Sequence, residues 1–295
     1  MQACRPPLAI TAVALLLGTS PTLAQTVTPD PTVPPPSRPP EIELNLVNLP
    51  TTLSVARHHS YFRLTHRFAR DLRRGDFGEL AADLFSLDNG AVIGLEYRFG
   101  ITSTIHAGVH RSTLSKTIQT FGRWDAMRQG ERRPLSLSLS ASLEGLDNLQ
   151  DNHQPAIAIT VSRVFGDRAA FYLTPAFVGN TRAVDVLDGH DDHDHSDLAG
   201  DTGEHAGHDD TWLAGIGARI RLLPTAYVTA EYTPRLGGYD PNAATWAVAV
   251  EKRTGSGGHT LQLNFTNSFG TTWGQLARGG SDHDIYLGFN ITRKF

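Results

Sequence analysis

Cysteine is almost missing from this sequence. Of 295 residues only Cys4 carries a thiol, and it sits ahead of a short apolar stretch that reads as an export signal. Removal of that signal leaves no thiol, which excludes disulfide staples, cysteine metal sites and cysteine nucleophiles. Long apolar runs are missing as well. Beyond the opening signal none approaches the roughly 18 residues of a transmembrane helix, so a helical bundle is excluded. A barrel is not, because its strands need only about 9–11 residues with every second one apolar. No basic stripe interleaves with aromatics, so nucleic acid is excluded as a partner. The formal net charge is -4 but unevenly spread: residues 188–210 hold nine carboxylates and neither Lys nor Arg, leaving the rest at +5 (-4 plus 9).

What is present begins with export. Residues 1–24 read as a signal peptide, with Arg5 as the positive start, Leu8 to Leu17 as the apolar core, and Thr22-Leu23-Ala24 as a small-residue cleavage site. Residues 25–56 read as a proline-rich periplasmic linker and lead-in. Seven prolines fall within 26–40, and proline fixes φ and removes amide donors, so this stretch is an extended spacer. Residues 41–56 (EIELNLVNLPTTLSVA) alternate briefly and then meet Pro50. A lead-in and a short extra strand both remain open.

From Arg57 onward the hydrophobic period is two. Leu135, Leu137, Leu139, Ala141 and Leu143 alternate with Ser136, Ser138, Ser140, Ser142 and Glu144. A strand gathers the first set on one face, whereas a helix would scatter it. The pattern predicts an all-β fold, an antiparallel transmembrane β-barrel over 57–295. About twelve strands are expected, near 58–69, 91–99, 103–111, 116–126, 134–144, 155–165, 169–179, 211–222, 225–234, 244–252, 259–267 and 284–295. Long connections alternate with tight ones, as in outer-membrane barrels, which puts both termini on the short-turn, periplasmic side. Aromatics cluster near strand ends in two girdles. Phe68, Phe177, Trp212, Tyr232, Trp246 and Phe265 stand toward the long loops, and Tyr97, Phe99, Phe165 and Phe295 toward the short turns.

Certain stretches resemble a known family. His66-Arg67-Phe68, Leu84 to Ala91 and Gly94-Leu95-Glu96-Tyr97 look like its opening. Gly258 to Ser268 and Ile285 to Arg293 look like its close. The family is an uncharacterised β-barrel family, domain of unknown function 5777. The resemblance implies an outer-membrane barrel and carries no activity, substrate or catalytic residue. Phe295, ending an alternating strand, resembles the signal read by the outer-membrane assembly machinery, which is expected as a partner beside outer-membrane lipid.

Two constellations invite chemistry. In the outer loop 188–210, His190, Asp191, His193, Asp194, His195, His205 and His208 combine imidazole with carboxylate, a donor set suited to Zn or a similar divalent metal. Ordering a glycine-rich loop around an ion costs entropy, so the expected capture is weak, and no resident cofactor is implied. The second set is inward-facing by parity: Glu96, Arg98, His106, His110, Arg123, Glu144, Arg219, Arg221, Glu231 and Glu251. Such charges line a water-filled passage or pair into a plug. A hydrolase would need a Ser-His-Asp arrangement, for which His106, His110 and Asp125 are candidates, but no G-x-S-x-G elbow is present and alternation alone explains the serines. Gly215-x-Gly217 reads as a smooth patch on a strand. The leading expectation is a non-enzymatic channel for a small solute with weak metal capture. A closed docking barrel is the alternative, and a membrane-embedded hydrolase a distant third.

Overall fold

The computed structural model describes residues 41–84, 90–182, 210–240, 242–254 and 258–295. Its strands are β1 (Ser60–Asp71), β2 (Ala91–Gly100), β3 (Ile105–Ser112), β4 (Ile118–Met127), β5 (Ser136–Leu146), β6 (Asp151–Phe165), β7 (Ala169–Val178), β8 (Thr211–Leu223), β9 (Ala226–Thr233), β10 (Arg235–Gly238), β11 (Thr245–Thr254), β12 (His259–Thr266) and β13 (Tyr286–Lys294). Each pairs antiparallel with its neighbours, and a short helix, α1 (Phe77–Ala82), stands between β1 and β2. The ring closes where β1 meets β13, with Leu64 opposite Ile291. The expected count of twelve holds because β9 and β10 form one stave, both pairing with β8. Pro234 separates them: it has no amide to donate, and only its carbonyl bonds to β8, accepting from the Ala214 amide at 3.1 Å.

Period-two alternation turns the barrel inside out relative to a soluble protein. Thr174, Thr229 and Asn264 point inward and are fully buried, whereas Ile157 is 60% and Trp212 57% exposed on the outside. An apolar outer band is what lipid requires of a closed sheet whose backbone groups are all paired. No helix among the described residues is long and apolar enough to cross a membrane. The strands do the crossing.

Three expectations need adjusting. Phe68 is not an open girdle residue: it is buried, its ring 4.4 Å from His66 and 6.0 Å from Phe289. Loop lengths alternate less strictly than the sequence suggests, since residues 147–150 make a tight link in the long phase and 128–135 a longer one in the short phase. Lastly, residues 41–56 form no wall stave. They run inside the barrel, where Leu44, Leu46, Val47 and Leu49 are buried.

Candidate functional site: a lumen occupied from both ends

The segment 41–56 doubles back as a small hairpin. The Thr51 amide donates to the Leu44 carbonyl at 2.9 Å, and the Leu46 amide to the Leu49 carbonyl at 2.8 Å. At its tip the amides of Val47, Asn48 and Leu49 turn outward together, and all three donate to the Glu231 carboxylate on β9 at 3.0 Å. Buried amides must find acceptors, and an ionised carboxylate is a strong one. Further inward-facing side chains complete the grip. Arg219 donates to the Asn45 carbonyl at 2.6 Å, Gln262 to the Leu46 carbonyl at 2.8 Å and Arg67 to Asn48 Oδ1 at 3.0 Å. Thr260 donates to Glu43 at 2.6 Å.

The wall is shaped for this plug. A Cβ placed on Gly215 would meet Leu49 at 2.6 Å, and one on Gly217 would meet Leu46 at 2.2 Å. The smooth patch on β8 is therefore a notch for two plug leucines. The signal was in the sequence, as two glycines on the inward parity of a strand and an alternating apolar stretch with no partner strand. Nothing in either feature says that the two meet.

From the other end the connection between β12 and β13 enters the lumen. Its short helix α2 (Trp273–Ala277) is capped by Thr272, whose hydroxyl accepts from the Gln275 amide. The β5 residue Glu144 anchors the helix, accepting from Thr272 Oγ1, the Gly274 amide and Gln119 Nε2, each at 3.0 Å. His110 Nε2 lies 3.0 Å from Thr271 Oγ1, and Arg278 donates to Gln154 at 3.1 Å. Gly274 must be glycine for this approach, because a Cβ there would meet Gln154 Oε1 at 1.8 Å. Leu276 of α2 packs with Leu46 and Leu49 of the hairpin, Ala170 and Tyr172. The two inserts thus touch in mid-lumen.

Of the ten charged inward candidates, nine are buried: Glu96, Arg98, His106, His110, Arg123, Glu144, Arg219, Glu231 and Glu251. Arg221 instead pairs with Asp167 beside the turn after β6. Glu144 holds α2, Glu231 and Arg219 hold the hairpin, and Glu251 pairs with Arg219 at 3.0 Å. Sequence parity missed Arg63, Arg67 and Asp125, which share the same face and are equally buried. The hydrolase constellation is not assembled among the described residues. Asp125 accepts from Ser138 at 2.8 Å and from Arg123 at 3.1 Å, and neither lumenal histidine bonds a serine. The seven loop candidates from His190 to His208 lie outside the described residues, and no group of three or more potential metal ligands occurs among those described.

A closed antiparallel ring, apolar outside and polar inside, with its lumen filled by its own chain, defines a plugged membrane-spanning β-barrel. Residues 43–295 match the family described as "Membrane bound beta barrel domain (DUF5777)", and the chain belongs to that family. The matched span takes in nearly all of the lumenal hairpin. No curated protein matches the sequence. Among solved structures, the chain is similar to the KdgM porin (8% identity, TM-score 0.48, covering 80% of this chain and 99% of that one). It is also similar to the Acinetobacter baumannii outer membrane protein Omp33 (9%, TM-score 0.43, 82% and 100%). A third likeness is to an outer membrane channel from Pseudomonas putida F1 (12%, TM-score 0.44, 82% and 97%).

Proposed function

We propose that the protein is a non-enzymatic outer-membrane barrel that passes a small polar solute when its N-terminal hairpin leaves the lumen, and that rests closed. One observation carries this reading: the plug's backbone is tied to the wall by hydrogen bonds to side chains and is not a continuation of the sheet. Such contacts can be exchanged for water one by one, and the polar wall they leave behind is one that water can wet. A barrel built only to dock a partner has no need of a polar lumen behind a separable plug.

The test is planar-bilayer conductance of the full chain. Gly217→Val sets side-chain bulk where Leu46 sits. Glu231→Ala leaves three amides without their acceptor, and an unsatisfied buried donor costs about 1–3 kcal/mol, a shift of about 5–150-fold in a two-state equilibrium. The wild type is expected to stay mostly closed, and both variants to open more often by a factor in that range. If both remain as silent as the wild type in a correctly folded barrel, the protein is a closed docking barrel.

Two finer parts of the reading concern the loop after β7 and the last strand. The loop around His190, His193, His195, His205 and His208 captures Zn or a similar ion weakly at the outer surface. The outer-membrane assembly machinery is the partner that reads the final strand at Phe295. Both are tested by the experiments argued below.

A further inference from the structure

Between the hairpin tip, α2 and the wall of β2–β5 the lumen keeps a gap of about 50 Å³, lined among others by Arg98, Arg123, Phe121 and Trp273. The groups around it are unevenly matched. Arg123 donates through Nε to Asp125 at 3.1 Å and through Nη2 to Ser138 at 2.8 Å. Its Nη1 has no partner among the described residues, although the side chain is only 3% exposed. On the adjoining strand β1, opposite Glu96 and outside the gap's lining, Arg63 is 1% exposed and none of its guanidinium nitrogens is hydrogen-bonded. Its one ion pair is a 3.6 Å contact with Glu96. Glu96 is already engaged by Arg98 at 2.5 Å and faces His110 at 3.5 Å. Both ring nitrogens of the buried His106 also lack partners. Two guanidinium groups (Arg98, Arg123) therefore line the gap beside one carboxylate (Glu96), and Arg123 keeps one donor unspent.

We infer that this gap is a binding site for a small monovalent anion, a carboxylate or an inorganic anion of similar size, received by Arg123 and Arg98. A buried guanidinium donor left without an acceptor is costly, and an anion is the ligand that removes the cost. Glu96, the carboxylate on the gap's lining, is already spent on arginines, whereas the Arg123 Nη1 donor is not. The apolar side of the gap, Phe121 and Trp273, suits a weakly hydrated anion, and the volume admits only a small one. The site deepens the solute-passage reading, because it names the class of solute. Its physiological meaning rests on that reading, but its existence does not.

Trp273 supplies the readout. The other three tryptophans, Trp124, Trp212 and Trp246, belong to the outward parity of their strands, so a Trp273→Phe variant isolates the lumenal signal by subtraction. Iodide titrated into the folded, full-length protein is expected to quench Trp273 saturably. Formate is expected to reverse the quenching by competition, and caesium, a cationic quencher, to leave it unchanged. Arg123→Gln is expected to weaken the iodide constant about tenfold or more, with Arg123→Lys in between. Linear iodide quenching that formate does not reverse, or equal quenching by caesium, overturns the site. The formate arm uses the wild type and does not depend on a variant folding. The two readings also fail separately. Saturable iodide quenching with a silent Gly217→Val barrel removes the passage and keeps the site, whereas conduction without saturable quenching removes the site and keeps the passage.

Discussion

Ser138 and Ile157 illustrate how much one side chain's parity decides. Ser138, turned inward, is 2% exposed and bonds both Asp125 and Arg123. Ile157, turned outward, is 60% exposed. Period-two reading of the sequence assigns such faces correctly, because each strand has to present apolar atoms to lipid on alternate residues. It does not say what fills the inside. From the sequence an arginine at Ser138 or Ser140 looks cheap, as in a water-filled channel. In the structure it would drive a long side chain into a packed lumen beside Arg123. The clean test of facing therefore compares two depths on the outer surface. Leu173→Arg, midway along β7 between the rung of Phe165 and the rung of Phe177, is expected to cost about 2–4 kcal/mol, and Phe165→Arg, at the strand end, about 0–1. Arg163 already shows how the rim tolerates a cation, its guanidinium lying 5.1 Å from the Phe165 ring centroid. Urea titration in liposomes measures both variants, and equal costs at the two depths would remove the assigned membrane frame.

At the scale of elements the sequence was legible where an element is periodic and opaque where it is held by long-range partners. All twelve staves follow from alternation, with ends within a few residues. The hairpin at 41–56 and helix α2 do not, because the local bonds of each are too few to hold it without distant partners. The hairpin tip relies on Glu231, more than 180 positions away in the chain, and α2 has one turn capped by Thr272 and anchored by Glu144. Isolated turns of this size are marginal in water, so only the lumen makes them. The His- and Asp-rich loop is the opposite case, legible in composition and outside the described residues. Its proposed Zn binding competes with protons for imidazole, whose reference pKa is about 6.5, so affinity should fall between about pH 7 and pH 5.5. Calorimetry on the folded barrel with and without residues 188–210 decides it. Equal Zn affinity in the two proteins would reduce the loop to a solvated acidic fringe.

Across the whole molecule the two rims are unequal. The connections 72–90, 179–210 and 267–285 leave one rim, while 101–104, 166–168 and 224–225, together with the approach to β1 and the end of β13, occupy the other. In outer-membrane barrels the longer loops face outward and the short turns face the periplasm. On that rule we propose that the acidic His-rich loop lies outside the cell and that the hairpin enters the lumen from the periplasmic rim, where the Lys294 amine donates to the Ile42 carbonyl at 2.5 Å. The Phe295 amide pairs with the Ser60 carbonyl at 2.9 Å, so the last residue extends the β1–β13 seam that closes the ring. An assembly partner that reads this strand would meet it before closure, when its edge is free to pair. An epitope inserted within 188–210 is therefore expected to be stained on intact cells, and the same epitope inserted at Arg38 only after the outer membrane is opened. Deleting Phe295 from the loop-tagged chain is expected to lower the stained, heat-modifiable population without changing which tag is reached. Staining of the Arg38 tag on intact cells would invert the orientation, and an undiminished stained population after deletion would remove Phe295 from the assembly signal.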